Sequence, residues 1–369
     1  MYSIAVDAMS GENDPVAATQ AVLRMARTHG DIHFFLTGRR TVLEPLLTSA
    51  PANISIENAE EVVDMREPPK RAMRRRDTSM RRAVELIAES RAQAVVSAGN
   101  TGALMGIGLM TAGKVEGVIR PAIASFVPNP RLDGGCCLLD LGANVECSPE
   151  MLQQFAHMGS SLARAVRGVE SPKIGLLNVG EEHFKGGAQL RQVADMLREE
   201  SALNFAGNME GFDIYMGDCD VIVCDGFTGN VALKTSEGLA RMISGMVKDA
   251  FRRDWLSTMC GAFAAPALAR LRHDMDARRY NGACFLGMRG LVVKSHGNAD
   301  ATAFYSALDY ARRAIGYDWA NILKNMSEAN SEINAKSNPV VNSDTADSNS
   351  EPEDSNPEMT PLANPEANS

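Results

Sequence analysis

Aromatic residues make up only 5% of this chain of 369 residues. Its interior must therefore be filled mainly by Ala, Val, Leu, Ile and Met, and apolar residues reach 45%. There is no basic excess: the formal charge is −9, so nucleic acid is not a default partner. That acidity is local. Residues 327–369 hold nine Asp or Glu against a single Lys, which leaves the rest of the chain close to neutral. No Cys-x-x-Cys occurs, and the seven cysteines are odd in number. Buried thiols in a reducing compartment are expected, rather than disulfides or a zinc site. The opening MYSIAVDAM has no basic region leading into an apolar one, and reads as a strand rather than a signal peptide. No uncharged apolar run approaches the ~20 residues that span a bilayer. The expected location is the cytoplasm.

Several chemistry-bearing signatures are missing too. There is no Gly-x-Gly-x-x-Gly after the first strand, no Gly-x-x-x-x-Gly-Lys-Ser/Thr and no Gly-x-Ser-x-Gly. The histidines at 29, 33, 157, 183, 273 and 296 do not cluster. Asp7, Asp140, Glu181, Glu182 and Asp225 end strands or enter loops, and they are the candidates for Mg²⁺. The expectation is no metal and no cofactor.

What is present is one repeated unit: a short apolar run, a Gly-rich polar loop, then an amphipathic segment. The runs at 94–96, 136–141, 174–179, 221–224 and 291–294 lead into SAGNTG, GAN, GEEHFKGG, DGFTGN and SHGNAD. After GAN, Ser148 is a plausible N-cap with Pro149 at the first helical position. Continuously apolar strands alternating with helices predict a three-layer α/β/α fold with a largely parallel, Rossmann-like sheet. Ligands of such sheets bind beyond the carboxyl ends of the strands. All five loops are therefore expected on one edge, around one cleft.

Two of the loops, VVSAGNTGALM and IVCDGFTGNVALK, nearly repeat each other. Glycine permits close backbone approach, and Thr with the first helical amides can face a small anion. A strand ending at Gly and a helix capped by Thr would read the same way; the repetition beside GAN and GEE favours the anion. The donors available are Asn, Thr, Lys, loop amides and one His. They suit stabilisation of negative charge in a reaction where bound phosphate is itself the nucleophile. Thr228, Asn230, Lys234 and His296 are the candidate catalytic residues. His296 fits an acid/base or oxyanion-donor role, or a capping role; Lys234 fits an anion contact or a solvated helix position. Gly99, Asn100, Thr101, Gly102, Asp140, Gly142, Asn144, Asn178, Glu181, Lys185, Asp225, Gly226 and Gly229 are the candidate substrate-binding residues.

In order along about 3–317, the motifs SAGNTGALM, LLDLGANVECSPEML, GLLNVGEE, NFAGNMEG, DVIVCDGFTGNVALKTSEG and KSHGNAD resemble the PlsX family of acyl-[acyl-carrier-protein]:phosphate acyltransferases. The resemblance implies transfer of a fatty acyl group from the carrier-protein thioester to inorganic phosphate, giving acyl phosphate for bacterial phospholipid synthesis. It also implies a fold similar to phosphotransacetylases and isocitrate dehydrogenases, a homodimer, and peripheral membrane association through helices at the dimer interface. The first loop departs from the family's Asp-x-Met-Gly-Gly-Asp: here Ser10 and Glu12 stand in DAMSGEND. That loosens any role assigned to it.

Two stretches bear on partners. KRAMRRRDTSMRR, from Lys70 to Arg82, holds seven basic residues. It reads as a solvated helix face or as a dock for the acidic carrier protein. Residues 255–269 are uncharged between arginine pairs, and Phe251, Trp255, Met259 and Phe263 recur every four positions. Such a helix can lie in a lipid interface, with Trp255 and Phe263 facing the membrane, or be buried against a second copy. The domain reading is a catalytic α/β domain over 1–326, including this helical segment at about 236–280, then a disordered acidic tail over 327–369. Expected partners are acyl carrier protein, phosphate, a second copy, the inner face of the membrane and the glycerol-3-phosphate acyltransferase that uses the product. The rivals are a non-catalytic scaffold for lipid enzymes and an NAD-dependent decarboxylating dehydrogenase.

Overall fold

The computed structural model describes residues 2–337 apart from 133, 275–277, 279–280 and 318. Its first half runs β1 (Tyr2–Asp7), α1 (Val16–Thr28), β2 (Ile32–Gly38), α2 (Arg40–Leu43), β3 (Ile54–Asn58), α3 (Pro69–Ala72), α4 (Ser79–Ala88), β4 (Ala94–Ser97), α5 (Thr101–Thr111), β5 (Ala122–Val127) and β6 (Cys136–Leu139). There follow α6 (Pro149–Arg167), β7 (Lys173–Leu177), α7 (Ala188–Glu199), β8 (Asn204–Met209), α8 (Asp213–Met216), β9 (Val221–Val223) and α9 (Gly226–Ala250). The chain continues with α10 (Trp255–Asp274), β10 (Ala283–Leu286), β11 (Leu291–Lys294), α11 (Ala301–Ile315) and α12 (Trp319–Ser337).

Short, largely apolar strands such as 94–97 and 221–223 are buried on both faces, because helices cover the sheet on each side. One layer, built on α1, α6, α7, α11 and α12, packs Phe155 and Phe304 onto Ile4 and Val6 and the rest of that sheet face. The other, with α4, α5 and α9, packs against Val95, Leu104, Leu138 and Ile222. This is the expected three-layer α/β/α fold. Helix α6 begins as the sequence indicates: Ser148 Oγ accepts from Met151 N at 3.3 Å, with Pro149 in the first turn. It ends at Gly168, whose φ of 67° is the left-handed conformation that glycine tolerates.

The tail boundary differs from the sequence reading. Helix α12 runs through Ser327 to Ser337, and Ile333 on it is only 2% exposed. Sparse apolar residues at helical spacing, Ile322, Met326 and Ile333, are enough to seat it. The rest of the acidic tail, 338–369, lies outside the described residues.

The single sheet has the order β3-β2-β1-β4-β11-β10-β5-β6-β9-β7-β8. It is parallel on both flanks, but β11–β10, β10–β5 and β5–β6 pair antiparallel. An odd number of antiparallel pairings reverses direction, so β6, β9, β7 and β8 point opposite to β1, β4 and β11. The expectation that all five loops share one edge is thereby overturned. SAGNTG and SHGNAD lie on one edge; GAN, GEEHFKGG and DGFTGN lie on the other.

Asp140 locks the second edge. Its buried carboxylate accepts from the amides of Ile123 (2.9 Å), Gly142 (3.2 Å), Ala143 (3.0 Å) and Asn144 (2.7 Å), and from Asn144 Nδ2 (2.9 Å). Burial pushes its pKa up while these donors oppose the shift. Helix α9 starts against this knot: Gly226 N donates to Asn144 O at 2.7 Å, and a Cβ on Gly229 would stand 2.0 Å from Asp140 O. From there α9 crosses the sheet toward the first edge. Its later turns and α10 leave the body, exposing Leu239, Met242, Met246, Trp255, Met259 and Phe263. Of the cysteines, only Cys260 on α10 is exposed; the other six are buried.

Asp140→Ala strands these buried donors without acceptors. It is expected to lower unfolding free energy by roughly 3 kcal/mol or more in urea titrations.

Candidate active site

The first edge carries the doubly wound switch point. From β1 the chain turns outward to β2 and β3, then returns to β4 on the other side of β1, which opens a crevice above their carboxyl ends. Three loops meet there. Glu12 N donates to Gly297 O at 2.8 Å, and Asn13 Nδ2 to Asn298 O at 2.9 Å. Asp7, fully buried, accepts the hydroxyls of Ser79 and Ser97, each at 2.7 Å. Gly99 allows the tight approach, since a Cβ there would lie 2.4 Å from Met80 Cε and 2.6 Å from Ser10 Cβ. Asn100 caps α5 by accepting from Ala103 N at 2.9 Å, and it donates to Met65 O at 2.8 Å. Thr101 and Gly102 form the first turn of that helix, with Gly102 against Pro69.

Basic groups gather above this crevice. Glu237 on α9, 14% exposed at its side chain, accepts from Lys234 Nζ at 3.0 and 3.2 Å and stands 3.5 Å from His296 Nε2. Arg241 approaches the same carboxylate at 4.0 Å. His296 is fixed from behind, its N donating to Asn281 Oδ1 at 2.9 Å. Burial lowers its pKa, with Glu237 opposing and Lys234, Lys294 and Arg241 adding to the fall, so the imidazole is neutral at neutral pH. Lys294, at the end of β11, turns its ammonium inward to the carbonyls of Ala98 (3.3 Å) and Ser295. Burial and the nearby Lys234 push it down to about 8, against the pull of Asp7 and Asp14. Burial and Asp7 hold Asp14 up at about 6. The result is a group of basic side chains gathered around Glu237 and beside a helix N-terminus, an arrangement that attracts a small polyanion.

Lys234 and His296 thus meet through Glu237, and Lys294 ties their loop to Ala98, which leads into Gly99, Asn100, Thr101 and Gly102. The remaining candidates follow strands of the second edge, with Asn230 one helical turn before Lys234 on α9. On the second edge Thr228 N and Oγ1 both donate to the Asp225 carboxylate, at 2.8 and 2.9 Å. Asp140, Gly142 and Asn144 form the knot described above, and Asn230 stands beside Gly142. Asn178 Nδ2 donates to Lys185 O at 3.2 Å, and Gly186 packs against the Asn178 side chain. Lys185 lies 3.9 Å from Glu182, and Glu181 faces solvent. On this edge Asp140 and Asp225 accept the loop amides and the Thr228 hydroxyl.

Sequence reasoning missed Glu237, Lys294, Ser295 and Asn281. The Lys234-to-Glu237 spacing of three on a helix was an available signal for an ion pair, and Lys294 lies inside KSHG. The basic stretch also divides. Arg75 is bound to Glu61 and Glu67, Arg81 to the carbonyls of Met73 and Arg75, and Arg82 to Glu57 and Glu89. Lys70, Arg71, Arg74 and Arg76 are exposed.

The family described as "Fatty acid synthesis protein" matches residues 2–321. A curated relative named phosphate acyltransferase, from Chromobacterium violaceum, is 44% identical over 345 residues, covering 90% of this chain and 99% of the relative. One of the same name from Paraburkholderia phymatum is 46% identical over 317 residues, covering 85% and 84%. Among solved structures, a phosphotransacetylase from Streptococcus pyogenes aligns with TM-score 0.56 at 15% identity, covering 89% of this chain and 94% of that one. The EutD phosphotransacetylase from Staphylococcus aureus aligns at TM-score 0.51 and 12% identity, covering 89% and 94%. At these identities the structural likeness speaks for the fold alone.

Between about 8 and 10.5 the unfolded chain keeps the proton on Lys294 that the folded chain has lost. The contribution of this group to stability therefore rises with pH across that window. Denaturant titrations of wild type against Lys294→Met are expected to show this rise in the wild type and its loss in the variant.

Proposed function

The chain belongs to the PlsX family of phosphate acyltransferases, and from that premise we propose that it transfers a fatty acyl group from acyl carrier protein to inorganic phosphate. The observation that carries the reading is the cluster of basic groups, Lys234, Lys294 and His296, above the β1–β4 crevice, beside the α5 N-terminus. Phosphate sits among Lys234, His296 and the amides of 99–102. One of its oxygens attacks the thioester carbonyl carbon; the C–O bond forms and the C–S bond breaks. Acyl phosphate departs, and the carrier leaves as thiolate that takes up a proton from solvent. The fixed donors stabilise the tetrahedral oxyanion. Glu237 holds Lys234 and His296 in place, so their geometry is set before substrate arrives. On this reading Asp140, Gly142, Asn144, Asp225, Gly226, Thr228, Gly229 and Asn230 are the scaffold that aims α9. Asn178, Glu181 and Lys185 belong to the same far edge.

The four exposed basic residues of 70–76 flank α5, whose Gly102 touches Pro69. They suit electrostatic capture of an acidic carrier protein. The α9–α10 projection suits a homodimer interface and a membrane contact. Trp255 is 75% exposed and Phe263 83%, and basic residues flank them for anionic lipid. No helix among the described residues is long and apolar enough to cross a membrane. An enzyme held at the inner membrane face would hand its acyl phosphate to the glycerol-3-phosphate acyltransferase of phospholipid synthesis.

Release of carrier thiol should depend on added phosphate. His296→Ala and Lys234→Ala are each expected to lower kcat/KM for phosphate by about 10²-fold with folding retained, whereas Thr228→Ala chiefly lowers stability. Full activity in both site variants, or nicotinamide reduction in place of thiol release, would sink the reading. A scaffold would instead keep its cellular role without His296.

For the projection, Trp255→Ser with Phe263→Ser is expected to abolish flotation with anionic vesicles or to shift the oligomer toward monomer in sedimentation. If both flotation and oligomeric state stay unchanged, the projection is neither a membrane contact nor a dimer interface.

A further inference from the structure

A cavity of about 790 Å³ opens beside His296 and is not used by the phosphate site. It lies between the carboxyl end of β5, the last turn of α6 and the C-terminal half of α11, with Ala240 of α9 on its rim. Asn281 connects it to the chemistry. That residue lines the cavity, while its Oδ1 accepts from His296 N at 2.9 Å and its Nδ2 donates to Ser295 Oγ at 2.8 Å. The size falls in the range of about 300–1,000 Å³ typical of small-molecule sites.

The wall indicates what kind of molecule fits. Phe126, Pro128, Leu132, Val166, Ala314 and the ring of Tyr310 offer apolar surface. Polar neighbours are committed elsewhere. Ser125 Oγ donates to Gly282 O at 3.2 Å, and Asn129 Nδ2 donates to Gly217 O at 3.2 Å. Tyr310 OH donates to Cys284 Sγ at 3.1 Å. Arg167 pairs with Asp220 at 2.6 Å and Arg313 with Asp309 at 3.1 Å. A polar ligand would have to break these bonds, whereas a hydrocarbon only displaces water.

We infer that this cavity seats the acyl chain of the thioester donor, with the carbonyl held at the Asn281–His296 end. The inference rests on the acyl-transfer reading above. It makes Val166, in the last turn of α6, a chain-length determinant. The partly buried position of Val166 tolerates a larger side chain without disturbing Lys234, Glu237 or His296.

The test compares hexanoyl and palmitoyl carrier-protein thioesters on the full chain, with Val166→Phe and Val166→Ala, after unfolding curves show both variants folded. Val166→Phe is expected to cut kcat/KM for the palmitoyl donor about tenfold or more, leaving the hexanoyl donor within about twofold. Val166→Ala is expected to leave palmitoyl transfer intact. Equal loss on both donors, as a carrier-arm channel would give, or no change on either, overturns the inference. If wild type releases no thiol from either donor in the presence of phosphate, the acyl-transfer reading itself has failed.

Discussion

Five hydrogen bonds converge on the Asp140 carboxylate, shut away from bulk water, and they come from the start of β5 and from the loop that follows β6. The same loop receives the first amide of α9. Because a buried acceptor cannot exchange these donors for water without a large loss, the loop has one conformation and α9 has one point of departure. A helix is stiff, so fixing its start fixes the turns that carry Lys234 and Glu237 across the sheet to His296. The geometry of one edge is in this sense dictated by a carboxylate on the other.

Much of the fold could be read directly. Apolar runs ending in Gly-rich loops became strands, and caps such as Ser148 and Asn100 sit where helix-starting chemistry places them. The direction of the strands could not be read. Nothing in the sequences of β5 and β10 marks them as antiparallel, since both are largely apolar and paired on both sides. Their orientation is a property of long-range pairing, and it sent two groups of similar loops to opposite edges.

The resemblance between GNTG and GFTG was real at the level of local structure, as each loop leads from a strand into a helix. The difference lies in the capping residue. Asn100 caps α5 with a neutral amide, whereas Asp225 caps α9 with a negative charge that engages both the amide and the hydroxyl of Thr228. A helix whose N-terminus already holds a carboxylate has little use for a phosphate. That distinction was present in the letters and was obscured by the shared Gly-x-Thr-Gly. Glu237 was harder to see, because its importance comes from His296, far away in sequence.

The cysteines have a consequence of their own. Burial pushes the thiols of Cys147, Cys219 and Cys284 up to about 12, and those of Cys136, Cys137 and Cys224 rise as well, so these six are poor nucleophiles as well as enclosed. Cys260 alone is open to solvent, on the apolar projection of α10. The unaltered protein therefore carries a single addressable thiol at the surface whose surroundings are most in question. A fluorophore or spin label attached there would report polarity and proximity to a second copy without any engineered residue.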